Sequence, residues 1–252
     1  MAIFKTRTIG GWVFFACVAA LAAGPAGADT SIDPARQLMG RTTYPAKAWT
    51  IETALDYKMP KIGDASRDTA QHELKMDYGV TDAWSVETGL ESREGPRRAF
   101  VYDRMAFGTR YRMLERPFQL TPFVEYNPSL RKEADEWKLG LEALKNSGNM
   151  AFHFIGNVLS EKQTGSAREL IGAIHVGPYY RFGTGGMAGV MWKYQTDGLN
   201  ELHLHYAGAL GKSFFIGIEP KLGLSRRAPD YSVDFLLGLY FGPYGLLDWL
   251  MQ

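Results

Sequence analysis

From Gln71 to Ser92 the chain reads QHELKMDYGVTDAWSVETGLES and alternates with a period of two. One parity carries His72, Leu74, Met76 and Tyr78, then Trp84, Val86, Thr88 and Leu90. The other carries Gln71, Glu73, Lys75 and Asp77, then Ser85, Glu87, Gly89 and Glu91. Successive strand side chains point to opposite faces, so this is a hairpin with one apolar and one charged face, reversed over Gly79–Ala83. Centring the turn on Thr81 sets Lys75 across from Glu87 and His72 across from Leu90. The same alternation recurs from Trp49 to Phe241. A chain built only of such strands must close into a barrel or stack into a sandwich.

The pattern predicts twelve strands. They are Ala48–Met59, the two of the hairpin, Val101–Leu114, Phe118–Tyr126, Glu136–Lys145, Met150–Leu159, Glu169–Phe182, Met187–Gln195, Glu201–Leu210, Ser213–Leu224 and Tyr231–Phe241. Pro122 is tolerable only at a bulge or a weak pairing. The links alternate between longer charged ones (PKIGDASRD, NPSLRKEAD, SRRAPD) and short ones that mostly carry glycine (NSGN, GTGG, GK). Outer-membrane barrels have that asymmetry, with tight turns on the periplasmic side and longer loops outside. An unpaired backbone group in hydrocarbon costs several kcal/mol, so strands there must close on themselves. A basic residue facing lipid at mid-bilayer costs about 2–4 kcal/mol, and the apolar parity is almost free of them. Trp49, Tyr78, Trp84, Tyr180, Phe182 and Phe241 fall near the short-turn ends, with Tyr57, Trp192 and Tyr194 near the loop ends. Two interfacial aromatic belts follow from that placement. The expected fold is therefore all-β, a closed antiparallel transmembrane β-barrel of about twelve strands. The soluble alternative, an exported lipocalin-like or sandwich protein, would have to bury charged faces or expose apolar ones throughout.

The ends divide the chain. Lys5 and Arg7 precede the apolar run Gly10–Ala23, and Ala26-Gly27-Ala28 supplies a cleavage site, so residues 1–28 read as a cleaved signal peptide. Residues 29–47 are a periplasmic lead-in without clear period, partly folded into the lumen. Residues 48–241 form the barrel, and 242–252 are a tail or the true closing strand. Cys17, the one cysteine, lies in the signal peptide, so cysteine chemistry is absent from the mature chain. Removing Lys5 and Arg7 from 28 basic residues leaves 26 against 27 acidic ones, a net charge of −1. Near neutrality gives no reason to expect nucleic acid. The partners expected are outer-membrane lipids, a small solute and the barrel-assembly machinery, with no cofactor.

Tyr78-Gly79-Val80-Thr81-Asp82-Ala83-Trp84 resembles the short turn of a broad group of bacterial outer-membrane β-barrel proteins. Some of that group are described as transporters of the phenol meta-cleavage pathway type. The resemblance implies the barrel fold and a transport role in the cell outer membrane. The motif itself is a turn signal, with Gly79 and Asp82 suited to a tight reversal.

Three constellations carry candidate chemistry. Glu52, Asp56, Glu73, Asp77, Glu87 and Glu91 line the first three strands, and Arg104, Arg110 and Arg112 the fourth. Opposite signs on adjoining wall segments would act on a polar solute in transit, unless they pair and plug the interior. His153, His175, His203 and His205 share the inward parity and could ligate a transition metal, or stand as separate lumen residues. On the lipid face, His72 and Ser92 lie at the outer rim in the layout of a lipid hydrolase, without an evident third residue. The function expected is a passive pore or uptake channel for small polar or aromatic solutes, not an enzyme. The alternatives are a rim lipid hydrolase and a plugged structural or adhesion barrel.

Overall fold

A computed structural model of the chain describes residues 33–63, 68–94, 100–131, 135–162, 168–183 and 185–246. The expected signal peptide lies outside the described residues. Twelve strands follow in order: β1 Trp49–Met59, β2 Thr69–Thr81, β3 Trp84–Glu94, β4 Phe100–Tyr111, β5 Gln119–Asn127, β6 Glu136–Ser147, β7 Met150–Lys162, β8 Arg168–Phe182, β9 Gly186–Gln195, β10 Asn200–Leu210, β11 Phe214–Gly223 and β12 Tyr231–Phe241. Each pairs with its chain neighbours, and β1 pairs with β12, so the sheet is a closed antiparallel barrel without an edge. The closing ladder runs from Trp49↔Phe241 to Met59↔Tyr231. The closing strand is therefore Tyr231–Phe241, and residues 242–246 lie outside the sheet.

The two parities separate as the alternation requires. Leu139, Phe152, Leu210 and Leu237 stand exposed on the outer face, while Glu52, Asp77, Glu87, Lys138, Glu142 and Lys193 are buried in the interior. That is the reverse of a soluble protein and suits a bilayer as solvent. Rings mark the rims: Trp49 stacks on Phe241 at 4.2 Å at the short-turn end, and Trp192 on Tyr194 at 6.0 Å at the loop end. At the short-turn end Gly148, Gly185 and Gly211 take φ values of 58°, 92° and 78°, which L side chains rarely adopt. Pro122 pairs with Leu141 of β6, while the β4–β5 ladder covers only Phe107↔Tyr126 to Arg110↔Phe123. The proline sits just beyond that short ladder, where no partner needs its missing N–H.

The hairpin register differs from that expected. His72 faces Ser92 and Lys75 faces Gly89, because the reversal falls at residues 82–83 and the ladder shifts between Gly79 and Thr81. A second irregularity makes Asp103 an extra residue on β4, between Arg104↔Glu91 and Tyr102↔Ser92.

The lead-in does not hang below the barrel. Pro34–Leu38 is one helical turn, α1, and all five residues are buried. Asp33 caps it, accepting from the Arg36 N–H at 3.1 Å, with Pro34 in the first turn. Gly40, at φ 63°, ends it, and a Cβ there would stand 1.9 Å from Arg181 Nη1. A single turn is too short to show a helical period, so the alternation along the chain gives no sign of it.

Candidate channel lumen

The interior is layered from the short-turn end outward. The first layer is apolar. Ala35, Leu38, Met39 and Tyr44 of the lead-in form one buried cluster with wall residues Leu144, Tyr179, Met187, Phe215 and Tyr240. Leu246 joins it from below, its N–H donating to Lys212 O at 2.9 Å. These wall residues belong to the inward parity, which is polar further up; that local switch is the sequence sign that something apolar lies against the wall.

The hairpin motif holds the lead-in as much as it turns the chain. Asp82 Oδ1 accepts from the Ala46 N–H at 3.0 Å, and Asp82 O from Thr43 Oγ1 at 2.9 Å. Gly79 lies within β2, where a Cβ would stand 1.9 Å from Pro45 O. Glycine is required there by the close approach of the lead-in backbone, not by the turn. The backbone of the two segments is stitched by Lys47 N–H to Gly79 O at 2.7 Å and Gly79 N–H to Ala48 O at 2.8 Å.

The second layer is an ion-pair belt joining the lead-in to the wall. Arg36 contacts Asp33 at 2.7 Å and Glu142 at 3.1 Å, and donates to Thr42 O at 2.8 Å. Glu142 is shared with Arg110 at 3.1 Å and with His153 at 2.8 Å. Arg110 also reaches Glu87 at 3.2 Å and lies 4.7 Å over the Phe123 ring. Lys75 bridges Asp77 at 3.5 Å and Glu87 at 3.3 Å. The Lys75–Glu87 pairing expected from the sequence is thus present, as a diagonal contact and not a direct one. Burial pushes the Asp33 carboxyl up, but Arg36, Lys75 and the Tyr44 hydroxyl outweigh it and hold the group below its ordinary range.

The remaining lumen residues fall as follows. Glu52 accepts from the Tyr44 hydroxyl at 3.1 Å, Asp56 pairs with Lys58 at 2.9 Å, and Arg104 pairs with Glu136. Arg112, at the short-turn end, contacts Glu115 at 3.8 Å, below the belt. Glu73 and Glu91 line a cavity above the belt, on the loop side, with a volume of about 90 Å³. The acidic and basic wall segments are therefore largely paired across the lumen.

The histidines do not converge as a group. His153 sits in the belt, while His203 and His205 each take one oxygen of Glu219, at 2.8 and 2.9 Å. His175 meets His203 edge-on at 6.0 Å between ring centres. Among the described residues, the ligand atoms of three or more metal-binding side chains come together only at Asp33, Glu52 and Asp77. Tyr44 donates to Asp33 and Glu52 there, so these carboxylates serve the packing of the lead-in. On the outer face His72 Nδ1 lies 3.5 Å from Ser92 Oγ, and its Nε2 lies 2.8 Å from Thr53 Oγ1. The position of a third catalytic residue is thus held by a hydroxyl, not a carboxylate.

No family model and no curated protein matches the sequence. Solved structures do match the fold. An outer-membrane channel from Pseudomonas putida F1 aligns at TM-score 0.64 and 10% identity, over 79% of this chain and 97% of that one. This is the fold of the outer-membrane β-barrel channels. The KdgM porin in complex with oligogalacturonate aligns at TM-score 0.57 and 8% identity, over 77% of this chain and 98% of that one. The NanC porin aligns at 0.57 and 9%, over 76% and 99%.

Proposed function

We propose that this barrel is a narrow passive channel of the outer membrane, which admits small solutes from the loop side into a polar lumen closed below by its own N-terminal segment. The observation that carries this reading is the layering itself: a cavity lined by charge stands directly on the lead-in and its ion-pair belt. Selection follows from the width left above the lead-in and from the charges bordering it. The lining favours polar solutes over aromatic ones, since Phe123 of the cavity wall is already covered by Arg110.

The test is planar-bilayer conductance of the mature chain and of a variant lacking residues 34–47. Small, fluctuating currents for the wild type and a several-fold larger conductance for the deletion are expected. Silence in both would favour a structural or adhesion barrel. Rim lipid hydrolysis by Ser92 and His72 stands as the second reading, resting on their 3.5 Å approach. It predicts fatty-acid release from vesicles that is lost in both His72→Ala and Ser92→Ala; a wild type that releases none removes it.

A further inference from the structure

Counting charge in the cavity above the belt leaves two carboxylates over. Glu87 has Arg110 and Lys75, and Glu142 has Arg36 and Arg110. Glu125 has Lys138 at 3.2 Å, Asp234 has Lys221 at 2.7 Å, and Asp56 has Lys58. Glu73 and Glu91 line the same cavity, and among the described residues neither reaches a basic group at ion-pairing distance. They are also directly opposed across β2 and β3, an arrangement that is destabilising for like charges. A pair kept in that position calls for something positive between or above it.

A second observation comes from acceptors that lack donors. Gln37 Oε1, from α1, has no hydrogen-bond partner although the residue is only 3% exposed. Glu87 Oε1 and Asp56 Oδ1, on residues 7% and 9% exposed, are in the same condition, the other Asp56 oxygen being taken by Lys58. All three side chains border the cavity. Buried acceptors left without donors are costly, and each points toward a ligand that brings N–H groups. The carboxylates here do not close into a three-ligand cluster, which a bare metal ion would need. The volume of about 90 Å³ suits a head group and not a whole large molecule.

We infer that this cavity is a binding subsite for an organic cation, an ammonium or guanidinium group whose charge is taken by Glu73 and Glu91 and whose N–H groups serve the donor-less oxygens. The inference rests on the channel reading only for its purpose, solute selection; binding itself does not require an open pore.

Calorimetric titration of the mature barrel in detergent, with spermidine as the organic cation and calcium as the metal probe, tests it. Spermidine binding, weakened at least tenfold in the Glu73→Gln/Glu91→Gln double variant and unchanged in Glu115→Gln, is the expected result. Equal binding by the double variant, tighter binding of calcium, or no heat with spermidine would overturn it. Glu73→Gln alone gives the same readout should the double variant not fold. A barrel that conducts but does not bind spermidine loses the inference and keeps the channel; one that binds but never conducts does the opposite.

Discussion

Arg110 ties three wall segments together, through Glu87, Glu142 and the face of Phe123. Removing one partner of a buried pair costs about 3–5 kcal/mol, because the other is left charged and alone. Arg110→Glu goes further and sets three carboxylates together. It is expected to lower the unfolding free energy of the barrel in detergent, read from a urea titration, by that order and, where current flows, to shift reversal potentials toward cations; wild-type values on both would count against the belt. Gly79 offers a sharper test, since Ala there meets Pro45 O. Gly79→Ala should expel the lead-in while leaving the wall intact, read as faster proteolysis ahead of Trp49 and a raised conductance. At this scale the sequence was legible in parity and not in register. Which residues faced inward followed from the period of two, whereas His72 opposite Ser92 required knowing where the turn falls, and a one-place irregularity next to Gly79 hides that.

Among the elements, the strands were legible because each carries its own two-face pattern, and Tyr231–Phe241 was located to the residue. The lead-in was not, because a five-residue helix has too few positions to set a period, and its stability comes from contacts distant in sequence. Its latch has a pH dependence whose sign is fixed. The Asp33 carboxyl is held below its ordinary value in the folded state, so its contribution is complete above the unfolded-state value and is lost as pH falls through the folded one. Conductance is therefore expected to stay flat from neutral pH down through the ordinary aspartate range of about 4 and to rise only below it. In Asp33→Asn that rise should be absent, with the higher level already present at neutral pH; a wild type that opens between pH 6 and 7 would contradict this.

For the molecule as a whole, the decisive property is which face meets lipid. Leu204, near the middle of β10, is exposed on the outer face. Leu204→Arg should destabilise folding into phospholipid vesicles by about 2–4 kcal/mol, while a preparation in which the change is neutral would mean that this face does not contact acyl chains. The closed wall, the order of its strands and the long–short alternation of its links could all be read from the chain, since each repeats along it. The acid left unpaired above the belt could not, because ion pairing depends on which strands curve round to face each other.

One consequence concerns biogenesis. The segment filling the short-turn end of the interior runs straight into Trp49, and β1 is one side of the seam with β12. Nothing can be threaded into a cylinder from its own first stave once the last has zipped to it without passing through the narrow end. The cork therefore goes in either as the seam is laced or afterwards through that same end, and a chain whose N-terminal turn is mispositioned should still seal, as an uncorked cylinder.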